Sequence, residues 1–188
     1  MSGFRHVGDR LVHRGYIWNV VEASFVGPGG EHFQRDIVRS PGAVGVVPVR
    51  FDPEGNPVVV LVRQYRAAFD EHVVEIPAGM RDVEGEDPEV TANRELAEEV
   101  GLAAGQLTLL TRFMPSAGMT DSVLHLYLGT ELREVPRQTH GPEEDAMEIV
   151  ALPLGEAVER VLSGEIRDAK TVIGLLMVER GLRVADGT

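Results

Sequence analysis

The stretch "NRELAEEVGL", residues 93–102, places Glu95, Glu98 and Glu99 close together and stops at a glycine. Upstream, Asp87 suits an N-cap and Pro88 the first helical position, while Gly101 suits the left-handed site that follows a helix. This punctuation predicts a helix over Pro88–Val100, with Ala92, Leu96 and Val100 recurring every fourth residue as its buried stripe. The three glutamates then share an adjoining side, Glu95 lying three residues from Glu98 and four from Glu99. Like charges at such spacing destabilise an exposed helix by roughly 0.2–0.5 kcal/mol per pair. Acids near a C-terminal end also oppose the helix dipole, by about 0.3–1 kcal/mol each. Arg94, four residues before Glu98, offsets only part of this.

Two readings compete. Most charge runs are solvated faces, which would leave the cost small and the pattern without function. The alternative takes its support from "EIPAGMRDVEGEDPEV" just upstream, a Pro-Ala-Gly turn and an acidic, glycine-containing loop facing the helix. Carboxylates on a rigid helix, opposite a loop that offers a backbone carbonyl, form the oxygen-rich set that Mg²⁺ or Mn²⁺ binds. A cation there neutralises charges the helix could not otherwise hold.

The chain has 188 residues and a formal charge of −12. That length supports one domain or one domain with an appendage, and a surface so acidic repels phosphate backbones, so nucleic acid is not expected as a partner. Cysteine is absent, which excludes disulfides, thiolate metal sites and thiol nucleophiles. The start lacks the apolar core of a signal peptide, and no apolar run is long enough to span a membrane. A cytoplasmic protein is the expectation.

Residues 10–26 and 31–39 read as two extended segments joined by "GPGG". The runs "AVGVVPV" and "PVVVLV" flank "RFDPEGN" as a hairpin, and "HVVEIP", "LTLLTRF", "SVLHLYLG" and "MEIVALP" are further strand candidates. Two helices are expected at the C-terminal end, "LGEAVERVLSG" with Leu154, Ala157, Val158 and Val161 inward, and "DAKTVIGLLMVERG" with Val172, Leu175 and Leu176 in its stripe. Strands and helices interleave irregularly, which predicts an α/β fold with a mixed sheet covered by helices.

The segment from Gly79 to Leu102 resembles the signature of the Nudix hydrolases: Gly79, Glu86, then Arg94, Glu95, Leu96, Glu98, Glu99, Gly101 and Leu102. Six residues separate Gly79 from Glu86 where the usual pattern has five, a difference a loop before a capped helix can absorb. The resemblance implies an α/β/α sandwich and hydrolysis of a nucleoside diphosphate linked to another moiety. It implies a Mg²⁺ site, with Mn²⁺ as substitute, formed by Glu95, Glu98, Glu99 and the Ala78 carbonyl, with Glu99 part of the catalytic centre.

Flanking segments narrow the resemblance. "VLVRQYR", "EIPAG", "SAGMTDS" and "GPEED" together are similar to ADP-ribose pyrophosphatases and related nucleotide-sugar hydrolases, from about Ala43 to Gly181. The match is weaker over residues 1–42, where members of that subfamily often use an N-terminal β-hairpin to form an intertwined homodimer; a domain boundary is therefore expected between residues 42 and 43. By this resemblance Arg66 contacts substrate, a guanidinium suiting phosphate oxygens. Arg63, an odd number of residues away, faces the other way in a regular strand, and surface charge is its competing reading. Arg35 is a weaker candidate, acting across the dimer, and Glu75 orients an arginine. In "GPEED", Glu144 is the first choice and Glu143 the second for a general base; the competing reading is an acidic surface loop.

Gly118 lies in the loop expected to touch substrate, but that loop departs from the subfamily. Ala117 replaces a proline, and Ser122 stands where a glutamate is expected. This keeps a second substrate class, another sugar nucleotide or a dinucleotide, beside ADP-ribose. A non-catalytic nucleotide- or metal-binding module is a third reading, which loss of box carboxylates would favour; all are present. Phe33 and Trp18 read as core or interface before adenine stacking. His72 and His125 read as local hydrogen-bonders, and Met114, Met119 and Met147 as packing.

Overall fold

The computed structural model describes residues 3–138, 141 and 145–185. The chain folds as two units, residues 1–42 with 114–123, and residues 43–113 with 124–188.

The smaller unit is an antiparallel sheet in the order β1 (Arg5–Arg14), β2 (Asn19–Val26), β3 (His32–Arg39). The β2–β3 hairpin turns at the expected glycines, with Gly30 at φ 85°. The first extended segment is two strands, because Gly15 donates its N–H to the Trp18 carbonyl at 2.8 Å and reverses the chain. Phe25 stacks on Phe33 at 5.4 Å and Phe4 meets Phe33 edge-on. Phe33 is thus packed within the sheet, whereas Trp18 is exposed. The loop of residues 114–123 is tied to β3: Val38 N–H donates to the Met119 carbonyl, and Thr120 Oγ1 donates to the Val38 carbonyl. Arg39 forks onto Asp9 at 2.9 and 3.0 Å and reaches Asp121 at 3.0 Å.

The larger unit is a mixed sheet, β10-β5-β4-β9-β8, built from β4 (Ala43–Phe51), β5 (Pro57–Arg66), β8 (Leu102–Phe113), β9 (Leu124–Glu134) and β10 (Glu148–Pro153). β4 and β9 run parallel; the other pairs are antiparallel. Beyond the β4–β5 hairpin, whose loop is tied by Asp52 to Asn56, the two strands part. Into the gap run β6 (Glu71–Glu75) against β5 and β7 (Ala78–Met80) against β4.

Strand alternation sorts the core onto two faces. Val44, Val46, Val60, Val62 and Tyr127 face α1 (Pro88–Val100) with its Ala92, Leu96 and Val100. Val47, Val49, Val59, Leu61 and Leu126 face α2 (Leu154–Leu162) and α3 (Ala169–Ala185). The unit is an α/β/α sandwich, as expected. Helix α1 keeps its expected bounds: Asp87 accepts the Glu89 N–H at 2.9 Å, and Gly101 adopts φ 67°. Helix α3 departs in two ways. It continues through Gly181, since a helical glycine costs only about 1 kcal/mol and Leu182 beyond it still packs on the core. Its buried stripe is Thr171, Leu175 and Val178, leaving Leu176 exposed, because Gly174 sets the contact face: a Cβ there would stand 2.6 Å from Val47 Cγ2. No helix among the described residues is long and apolar enough to cross a membrane.

Met147 is buried, but Met114 and Met119 are exposed on their loop and do not serve as packing. His72 meets Tyr65 edge-on as its cross-strand partner. His125 Nδ1 is buried with no hydrogen-bond partner among the described residues, and burial, then Arg112 and Arg81, hold its pKa below the usual value.

Candidate active site

Helix α1 does not present its glutamates as a solvated face. Glu99 lies three residues after Leu96 and beside Val100, at the edge of the buried stripe, and is 5% exposed. The side chains of Glu95 and Glu98 are 12% and 18% exposed. Burial pushes the Glu95 carboxyl up to about 7 and that of Glu99 up to about 8; the mutual repulsion of the two acids adds to the rise at Glu99.

Backbone and Arg94 lie directly against these acids. The β7 strand brings Ala78 beside α1, where its N–H donates to Glu99 Oε2 at 3.0 Å. Gly79 follows directly against Glu95: a Cβ at residue 79 would lie 2.0 Å from the Glu95 carboxyl carbon, so any larger residue there displaces that carboxylate. Arg94 Nη1 reaches Glu95 at 2.9 Å and Glu98 at 3.0 Å, while its Nη2 reaches Asp82 at 3.3 Å and Glu86 at 3.4 Å. Arg94 therefore serves more acids than the expected Glu98 alone, and Glu86 is held to the box by this arginine despite the longer loop.

These residues fit a hard divalent cation. Their side chains offer carboxylate oxygens, the Ala78–Gly79 backbone lies against Glu99 and Glu95, and Glu99 is a buried acid with no contacting cation among the described residues. Among the described residues no three His, Asp or Glu side chains converge to cage an ion by themselves, so backbone and water oxygens are needed to complete a coordination shell. Replacing Gly79 by alanine should drive the Glu95 carboxylate away. The expected outcome is loss of divalent-cation-supported hydrolysis on the order of a hundredfold, in a protein whose circular dichroism is unchanged.

A second cluster sits between β5, β6 and α3. Arg66 donates from Nε and Nη2 to the two oxygens of Glu75, each at 2.6 Å, a bidentate pair. Glu75 is 2% exposed. Burial alone would raise its pKa, but Arg66 and Lys170 outweigh that and hold it below the ordinary carboxylate range. Lys170 also binds Glu75 and reaches Asp168 at 3.0 Å. The charges of Lys170 and Arg66 act on Glu99 as well. Lys170 went unnoticed in the sequence; the one signal for it was the Asp168-to-Thr171 spacing of a helix start, where Asp168 Oδ2 accepts the Thr171 N–H at 3.0 Å.

The remaining candidates fall elsewhere. Arg63 pairs with Glu148 on β10 at 3.3 Å. Arg35 is exposed in the smaller unit, its guanidinium carbon 4.9 Å from the Phe33 ring centre. Arg35 and Gly118 line a cavity of about 520 Å³ within that unit, together with Ala117, Thr120 and Met114. Ser122 is not among its lining residues; its N–H donates to Thr120 Oγ1. Glu143 and Glu144 lie outside the described residues.

Comparison with known proteins agrees with this geometry. The chain is 38% identical over 175 residues to the ADP-ribose pyrophosphatase of Mycobacterium tuberculosis, spanning 93% of this chain and 83% of that protein. At 37% over 175 residues it is similar to the CMP-5′-(N-acetyl-N-hydroxy-3-aminopropyl)phosphonate hydrolase of Streptomyces rubellomurinus, spanning 91% and 80%. A solved structure of an ADP compounds hydrolase shares the fold, with a TM-score of 0.81 and 22% identity over 97% of this chain and 95% of that one. The NUDIX domain matches residues 39–172, which include the whole glutamate-bearing helix and its facing loop, and the chain belongs to the Nudix hydrolases.

Proposed function

We propose that this Nudix hydrolase cleaves the pyrophosphate bond of ADP-ribose in a Mg²⁺-dependent reaction, giving AMP and ribose 5-phosphate. The observation that carries the reading is the buried Glu99 and the half-buried Glu95 set against the Ala78–Gly79 backbone. With water oxygens completing the shell, Glu95, Glu98, Glu99 and the Ala78 carbonyl would hold Mg²⁺, or Mn²⁺ in its place, and the bound ion would screen phosphate charge and acidify a water. Arg66, oriented by Glu75, binds a phosphate oxygen, which fixes the phosphorus for in-line attack. Glu144, with Glu143 as second choice, takes the proton of the attacking water. Arg35 and Gly118 contact the rest of the substrate, in a homodimer formed through the N-terminal strands.

The second reading keeps the chemistry and exchanges the substrate for another sugar nucleotide or a dinucleotide. It is favoured by Ala117 and Ser122 in the 114–123 loop and by the relative that hydrolyses a CMP-linked phosphonate. Purified protein with Mg²⁺ should release AMP and ribose 5-phosphate from ADP-ribose in preference to the other members of a panel of sugar nucleotides and dinucleotides. A competitor favoured by more than about tenfold in kcat/KM, about 1.4 kcal/mol of transition-state preference, would establish the second reading. No cleavage of any member would refute both.

A further inference from the structure

Glu75 is tethered from two sides, by Arg66 on β5 and by Lys170 on α3, and neither residue lies within the Nudix box. Arg66, on β5, takes both carboxylate oxygens through Nε and Nη2; among the described residues its Nη1 has no partner, and its side chain is 42% exposed. Lys170 comes from the opposite end of the chain, in the first turn of α3, with its side chain 12% exposed and bound to Glu75 Oε2. The residues around Lys170 lock the same place. Thr171, fully buried, donates its hydroxyl to Asp168 at 2.6 Å and accepts the Ile76 N–H at 2.9 Å. Pro77 in turn accepts the Val46 N–H, and Ala78 donates to Glu99. One helical turn therefore grips residues 75 and 76, immediately before the backbone that meets the box acids.

A carboxylate held by a single guanidinium can still swing about its side-chain bonds. A second cation on Oε2 removes that freedom, and with it the freedom of the planar fork that Glu75 holds. We propose that Lys170 is a positioning residue for hydrolysis: acting through Glu75, it fixes the Arg66 guanidinium so that the unpaired Nη1 faces the diphosphate of the substrate. The inference rests on the proposed function for what Arg66 binds, but not for the positioning itself.

The test uses the full chain with Lys170→Met and, should that variant fail to fold, Lys170→Gln, which is polar but removes the cation from Glu75 and is expected to show the same losses. With ADP-ribose and Mg²⁺, Lys170→Met is expected to lower kcat/KM at least tenfold while the Mg²⁺ concentration for half-maximal rate changes less than twofold. Lys170→Arg should recover most of the loss. In a Glu75→Gln background, Lys170→Met should cost less than a further twofold, since the intermediary is already gone. Nitrogen-detected NMR of the Arg66 Nε–H supplies a readout independent of substrate: its exchange with water should quicken about tenfold or more in Lys170→Met. Unchanged exchange, or losses that multiply in the Glu75→Gln background, would overturn the positioning role. A wild-type protein inert towards every nucleotide offered would refute the proposed function alone, because the exchange measurement would still decide what Lys170 does.

Discussion

Glu99→Gln is expected to lower Mg²⁺-dependent turnover by roughly a hundred- to thousandfold, the several kcal/mol that a metal ligand contributes, while the cation-free protein becomes more stable above neutral pH. Both halves come from one side chain. Glutamine keeps a carbonyl oxygen to accept the Ala78 N–H, so the local fold is preserved. It cannot supply an anionic ligand. In the wild type, burial raises the Glu99 pKa to about 8. The folded state thus binds a proton there that the unfolded chain has already released above its ordinary value of 4.5. That stabilisation is complete below the unfolded value and is lost as pH rises through about 8. Glu95, raised to about 7, adds a loss of the same sign. Thermal unfolding in EDTA should show the advantage of Glu99→Gln over wild type growing between pH 5 and 9, towards a difference on the order of 2–4 kcal/mol. Mg²⁺ should reverse the ranking, stabilising the wild type most at high pH.

The second large effect concerns folding. Removing both cations from Glu75, by Arg66→Ala with Lys170→Met, strands a carboxylate that is 2% exposed. Breaking a buried pair in this way costs about 3–5 kcal/mol, readable as a shift of the urea midpoint. The pH dependence should invert as well. Wild-type Glu75 has a lowered pKa, so its contribution is present above the ordinary carboxylate range and lost as pH falls through the folded value. The stranded acid would instead favour its protonated form, and the double variant should gain stability on acidification.

How far the sequence revealed all this depends on the range of each interaction. Helix α1 was legible to the residue because its signals, Asp87, Pro88 and Gly101, act on neighbouring backbone. The division of the sheet into two core faces was not read from the sequence, because Val44, Val46, Val60 and Val62 on one face and Val47, Val49, Val59 and Leu61 on the other merge into continuous apolar runs. The reversal at residues 15–18 was hidden by apolar Tyr16, Ile17 and Trp18, which read as strand although Gly15 closes a turn across them. The depth of Glu99 was not legible: charge patterning favours a solvated face, and only the β7 backbone lying across it makes the site dry. Lys170 was missed for a different reason: its partner lies 95 residues away, and the Asp168-to-Thr171 spacing beside it marks only a helix start.

Binding of Mn²⁺, followed by loss of its free-ion EPR signal on titration with protein, tests the metal site most directly because it needs no substrate. At pH 8 the wild type should take up at least one ion per chain, and Glu95→Gln and Glu99→Gln should each abolish most of that uptake. Mn²⁺ that stays free in the presence of folded wild-type protein, or that binds both variants as tightly, would contradict the assignment of these buried acids to a divalent cation.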